Sequence, residues 1–202
     1  MLSQIKNRRS IRKYKPIPVP WSKIIEVVDA ARYAPTPGNV QNFSIILVTS
    51  CSKIEEIAKL SDQDWILGAP VVLVVCADYN VDYPKSMVEH TVGAVVENML
   101  IEAQNQKLGA CWVEAFDKEK LKKLLDIKKS EPVAFITLGF PDEKPKTKHL
   151  KPLELFLGYE REGNNKWEYV EYDTTPRLLE RIQKRIVDFK ASIRAFFKKI
   201  KK

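Results

Sequence analysis

The ten residues "APVVLVVCAD" (69–78) constrain this chain more than any other stretch. They form a near-continuous β-branched run without the polar alternation of a half-exposed strand. They therefore predict a strand buried on both faces. Such a strand needs a covering layer above and below it. Residues 86–108 form the longest helical candidate, and their apolar positions, from Met87 and Val88 to Ala103 and Leu108, spread round most of the helix. A helix of that kind is central or lies in a subunit interface.

The remaining elements alternate. Residues 2–7 read as a short helix, and Pro16, Pro18 and Pro20 exclude regular structure up to Trp21. Ser22 is expected to cap a helix over 23–34, with Ile24, Val27, Val28 and Ala31 on its apolar face. "APTPGNVQNF" (34–43) forces a loop. Strands are expected at 43–49, 110–116 and 132–140, and helices at 52–60 and, lysine-rich, at 117–125. Strands alternating with helices give an α/β or α+β sandwich around one sheet. "YEREGNNKWEYVEY" (159–172) reads as a hairpin turning at Gly163-Asn164-Asn165.

Charge separates the chain into two parts. The net charge is +8, but residues 174–202 carry ten Lys/Arg against two Asp/Glu, which leaves 24 of each sign in the body. A neutral body lacks the extended positive face that tracking a nucleic-acid backbone needs. With 45% apolar and 30% charged residues, a packed core is expected rather than a disordered chain. No apolar run is long enough to span a bilayer, and no apolar segment follows the charged N-terminus as a secretory signal requires. Cys51, Cys76 and Cys111 lack C-x-x-C spacing, and neither His90 nor His149 has a cysteine at ligand spacing, so free thiols in a reducing cytoplasm and no zinc site are expected.

Absent motifs narrow the chemistry. None of the seven glycines makes a G-x-G, so neither the dinucleotide fingerprint nor the P-loop is written here, and there is no G-x-S-x-G. What stands out is "NRRSIRKYKPIPVP" (7–20). Its arginines offer planar forks of donors and Ser10 adds a hydroxyl, which suits a phosphate. A solvated basic turn is the plainer alternative.

That stretch has company. "NRRSIRKYKPIPVP", then a helix, then "AARYAPTPGNVQNFSIILV" resembles the FMN-dependent nitroreductase family, which opens with R-R-S-x-R-x-[FY] and continues to A-P-[ST]-x-x-N-x-Q-x-[WF]. "QDWILGAPVVLVVCAD", "VGAVVENMLIEAQNQKLGACWVEAFD", "AFITLGFP" and "KPLELF" follow in the family's order, so the resemblance covers about 1–157. It implies an α+β fold with a mostly antiparallel sheet flanked by helices, in an intertwined homodimer with FMN at each subunit interface. Residues 1–157 would be the FMN-binding domain and 158–202 a C-terminal extension.

The resemblance also assigns residues. Arg8, Arg9, Ser10 and Arg12 stand where the family binds the flavin phosphate, ribityl chain and pyrimidine edge. Arg12 would stabilise the negative charge of the reduced ring. Pro35, Thr36, Pro37 and Asn39 match the loop that the partner subunit lays on the flavin; Gln41 continues it or simply bonds backbone. Glu114 and Ala115 match a Glu-Gly-like pair beside flavin N5, with a salt-bridged strand end as the plainer reading of Glu114. Leu138 and Gly139 match a structural turn. Leu150 occupies the commonest place of the second phosphate cation, so Lys148 or Lys151, or else His149, would supply it. Asp62 and Trp65 stand where some members use Asn and Lys. The implied reaction is ping-pong: NAD(P)H gives hydride to the flavin and leaves, and a nitroaromatic, quinone or flavin acceptor takes its place.

Two rivals keep the fold. Reductive dehalogenation or flavin breakdown would need a substrate lid, for which "YNVDYPKS" (79–86) is short; a flavin-binding or interaction protein with vestigial turnover would need none. Beyond the resemblance, apolar residues recur from Leu178 to Ile200 at spacings of three and four. They predict a basic amphipathic helix over 175–201, packing on its own dimer or lying on a membrane surface.

Overall fold

The computed structural model describes residues 1–146, 149–158 and 161–163. The expected hairpin's second arm, Lys148 and the basic amphipathic helix lie outside the described residues. The chain divides into two compact units, Met1–Lys148 and His149–Lys202. The second contributes one 3₁₀ turn, Leu153–Leu155, to the described part.

In the first unit the helices are α1 (Ser3–Asn7), α2 (Trp21–Ala30), α3 (Cys51–Ser61), α4 (Lys85–Asn105) and α5 (Lys118–Leu124). The strands are β1 (Phe43–Val48), β2 (Val71–Ala77), β3 (Gly109–Val113) and β4 (Glu131–Gly139). They form one sheet in the order β1-β2-β4-β3, with every neighbouring pair antiparallel. The α+β expectation holds.

All seven residues of β2 are buried. Side chains alternate across a strand, so β2 feeds two cores at once. Val71, Leu73, Val75 and Ala77 pack with α2 and α4, whereas Val72, Val74 and Cys76 pack with α3 and α5. β4 divides in the same way, Ala134, Ile136 and Leu138 facing one core and Phe135 the other. Burial pushes the Cys76 thiol up to about 11, against an ordinary value of 9.0.

Helix α4 buries Val88, Val92, Val95, Val96, Met99, Leu100 and Ala103 in the first core. Its second apolar stripe is only partly covered: Met87 is exposed, and Ala94 and Ile101 are half-buried. Expectation and structure differ at α2. It begins at Trp21, because the Pro20 carbonyl already accepts the Lys23 and Ile24 N–H groups at 3.0 and 3.2 Å. A proline fits that entry, since its fixed φ is pre-set and its missing N–H has no helical partner to lose. Ser22 therefore lies inside the helix and caps nothing. Strand β3 ends at Val113, earlier than composition suggests, because its ladder to β4 stops at Phe135.

Candidate functional site

The arginine cluster is held in place by main chain. Ser10 makes a parallel bridge to Ala110 on the outer edge of β3, and the Ile11 N–H donates to the Ala110 carbonyl at 3.0 Å. Four residues on, Tyr14 bridges Pro141, the Lys15 N–H donates to the Phe140 carbonyl, and the Asp142 N–H donates to the Lys13 carbonyl. The segment is thus stitched to β3 on one side and to the exit of β4 on the other. Close approach at the first contact requires Gly109, since a Cβ there would lie 2.7 Å from Ile11 Cγ2.

Three side chains complete the stitching. The buried Tyr14 hydroxyl donates to the Ile11 carbonyl at 2.5 Å and pairs with the buried Thr137 hydroxyl at 2.6 Å. Burial holds that phenol well above its ordinary range. The Glu143 carboxylate accepts the N–H groups of Arg12 at 2.5 Å and Lys13 at 3.1 Å. Sequence reasoning missed Glu143 and Thr137: they lie 131 and 123 positions from their partners, and no local pattern signals such pairs.

The four cluster residues have different surroundings. Arg8 is half-buried, with its Nε 3.5 Å from Glu97 on α4. Arg9 donates from Nη1 to the carbonyls of Lys6 and Arg8 at 2.8 and 2.7 Å, closing the C-terminus of α1. It also lines a cleft of about 310 Å³ with Asn7, Lys107 and Glu143. Ser10 is exposed beside the buried Cys111. Burial raises that thiol's pKa, while Arg12, the Ser10 hydroxyl and Arg8 lower it. Arg12 is exposed, with its guanidinium carbon 5.6 Å from the centre of the Trp65 ring.

Glu114 and Ala115 leave β3 on the same outer edge, four residues beyond Ala110, about 13 Å at the rise of a strand. Both are exposed, Ala115 avoids positive φ, and Glu114 forms no ion pair among the described residues. Among the described residues, main-chain pairing along that edge is confined to the Ser10–Ala110 bridge. Behind it, the Trp112 indole N–H is buried and has no partner among the described residues.

The loop Pro35, Thr36, Pro37, Asn39 and Gln41 lies elsewhere. It enters β1, the opposite edge strand, at Phe43, which pairs with Ala77. Ser10, by contrast, stands level with Ala110, Leu138 and Val71. Ser10 and Phe43 are thus separated by four strand spacings, about 19 Å, across the sheet and about 20 Å along it. The loop is wound tightly: Gly38, Asn39 and Gln41 have φ of 56°, 57° and 55°. A Cβ at Gly38 would overlap the Tyr83 hydroxyl. The Gln41 N–H donates to Thr36 Oγ1 at 3.2 Å, and its amide reaches the Asn39 carbonyl and Oδ1. Pro35 and Asn39 are exposed, Thr36 and Pro37 half-buried.

His149, Leu150 and Lys151 are exposed in the second unit. Among the described residues no cluster of His, Cys, Asp and Glu could hold a metal ion, and no helix is long and apolar enough to cross a membrane.

The sequence model of the nitroreductase family matches residues 5–63 and 53–140. A relative from Methanothermobacter thermautotrophicus, provisionally named an NADH dehydrogenase/NAD(P)H nitroreductase, is 30% identical over 156 residues, 74% of this chain and 82% of its own. The NADPH-flavin oxidoreductase of Vibrio harveyi is 27% identical over 165 residues, covering 74% and 69%. Among solved structures, a protein of Clostridium acetobutylicum provisionally named an NADH oxidase superposes with a TM-score of 0.67 at 32% identity, over 74% of this chain and 93% of the other. An FMN-dependent nitroreductase of Clostridium difficile shares the fold, with a TM-score of 0.68 at 22% identity over 74% and 92%.

Proposed function

This chain belongs to the nitroreductase family, and from that premise we propose that it is a cytoplasmic, homodimeric FMN-dependent oxidoreductase that draws on NAD(P)H to reduce nitroaromatics, quinones or flavins. The observation that carries this reading is the edge of β3, where Arg8, Ser10 and Arg12 are presented at one end and Glu114 and Ala115 at the other, about 13 Å apart along one strand.

The donors suit FMN. A dianionic phosphate matches Arg8 and the Ser10 hydroxyl, with Lys148 or Lys151 as the further cation. Arg12 suits the pyrimidine edge, where a cation stabilises the charge of the reduced ring. Arg9, occupied with the end of α1, serves by holding the cluster's entry. Among the described residues no strand pairs with the edge of β3 beyond Ala110, which suits main-chain groups near Glu114 and Ala115 meeting the ring. When bound, FMN supplies the uptake of hydride from NAD(P)H and its delivery to the acceptor. The protein's share is to bind, orient and electrostatically bias, with the two substrates taking turns in one pocket.

The diagonal separation supports the dimer. The loop of Pro35 to Gln41 joins the sheet at the corner diagonally opposite the arginines, which supports its serving a second copy's site. The half-covered stripe of Met87, Ala94 and Ile101 on α4 gives that copy an apolar surface to cover.

The test is direct. Purified protein should be yellow, or become so with added FMN, and should bleach on anaerobic addition of NADH or NADPH. Colourless protein that takes up no FMN overturns the cofactor assignment. Yellow protein that neither nucleotide bleaches overturns the oxidoreductase assignment.

A further inference from the structure

We propose that Trp65 is a positioning residue for Arg12: its indole face holds the guanidinium ready for the flavin without cancelling its charge. This rests on the cofactor reading above.

The main chain around Arg12 has little freedom left. Its N–H and that of Lys13 are taken by Glu143, and the preceding Ile11 is tied through its N–H to Ala110 and through its carbonyl to the Tyr14 hydroxyl. What stays free is a long, exposed side chain. Among the described residues it forms no ion pair, and its noted partner is the Trp65 ring at 5.6 Å, within the reach of a cation–π contact.

Trp65 is itself fixed. It sits in the 3₁₀ turn Asp64–Gly68, its Nε1–H donates to Gln63 Oε1 at 3.0 Å, and it packs on Ile11, Tyr14 and Ala69. A half-buried indole on a short turn is thus set against the guanidinium of the stitched segment.

The choice of partner matters chemically. A carboxylate paired with the guanidinium would hold it and also neutralise its field. Glu143 instead engages the Arg12 main chain and pairs with no guanidinium among the described residues. An aromatic face holds a guanidinium while leaving its donors and full charge pointing outward. A cation kept in place before binding loses less freedom when the flavin arrives, and its charge favours the reduced, anionic ring over the oxidised one. Trp65 therefore acts on the preference of the site for reduced flavin, through Arg12.

The experiment uses full-length protein loaded with FMN and reads the midpoint potential and the FMN dissociation constant. Trp65→Met keeps volume without a π face, Trp65→Phe keeps a face, and each is made alone and with Arg12→Gln. We expect Trp65→Met to lower the preference for reduced over oxidised FMN about tenfold, about 30 mV for a two-electron couple. Trp65→Phe should retain most of the wild-type value, and Trp65→Met should add nothing once Arg12→Gln is present. An equal shift in both backgrounds, or none in either, overturns the proposal. Trp65→Leu takes the place of Trp65→Met if the latter does not fold. Wild-type protein that takes up no FMN overturns the cofactor reading and this inference with it, an outcome distinct from loaded protein indifferent to Trp65.

Discussion

The two edges of the sheet are built in opposite ways. At β3 the segment from Ser10 to Lys15 is laced down by main-chain bonds, a glycine that admits Ile11, a buried tyrosine and a carboxylate. At β1 the loop before Phe43 is held mainly by bonds to itself and is wound through three left-handed residues. The first corner is part of the fold and shares its stability. The second keeps its shape at a local conformational cost, and in the proposed dimer it would serve another copy. Damage at the first should therefore reach both folding and cofactor, and damage at the second should reach the cofactor with little loss of stability.

Gly109→Ala tests the laced edge most severely. The new methyl must displace Ile11, an overpacking that costs about 1–3 kcal/mol. Thermal unfolding should shift down and FMN uptake should fall together; a lowered melting temperature with unchanged FMN affinity would separate the two roles. Arg8→Ala comes next, with FMN binding weakened about tenfold, about 1.4 kcal/mol, while reduction of bound flavin by NAD(P)H changes less. Arg12→Ala should show the reverse order, slowing reduction more than it weakens binding, and stopped-flow reduction beside equilibrium titration distinguishes them.

Tyr14→Phe removes two hydrogen bonds beneath the cluster and leaves the Thr137 hydroxyl with its long bond to the Cys111 carbonyl. A loss of about 1–2 kcal/mol is expected in denaturant unfolding. Asn39→Gly is the smallest and changes sign. It relieves a left-handed asparagine, raising the stability of the apo-protein by a few tenths to about 1 kcal/mol, yet it loosens the loop and removes the amide oxygen that Gln41 bonds. More stable apo-protein with weaker FMN retention is the expected pair of results. If stability and FMN retention both rise, the loop's shape is not serving the site.

Much of this was legible in the sequence because its signals are local. The β-branched run became β2, the long apolar segment became α4, and the proline and glycine cluster at 35–38 marked the loop before β1. Ser22 misled because the usual capping residue was outweighed by Pro20, whose carbonyl starts the ladder two residues earlier. The site divided similarly. The arginine cluster could be found from its own spacing and from the resemblance, but not what holds it. Glu143 looks like any charge in a polar loop, and Thr137 like any residue of a strand; each gains its role from a contact across more than a hundred positions. Trp65 was visible as a departure from the family's pattern. Its relation to Arg12 required the turn that brings them together.

The diagonal placement of cluster and loop has a genetic consequence. In a homodimer each chain gives the arginine corner to one site and the loop to the other. A chain spoiled only at its arginines and a chain spoiled only in its loop would each be inactive as pure dimers. Combined in one hybrid dimer, they place both lesions in the same site and leave the other whole. Two inactive alleles expressed together should then restore flavin binding and turnover that neither has alone.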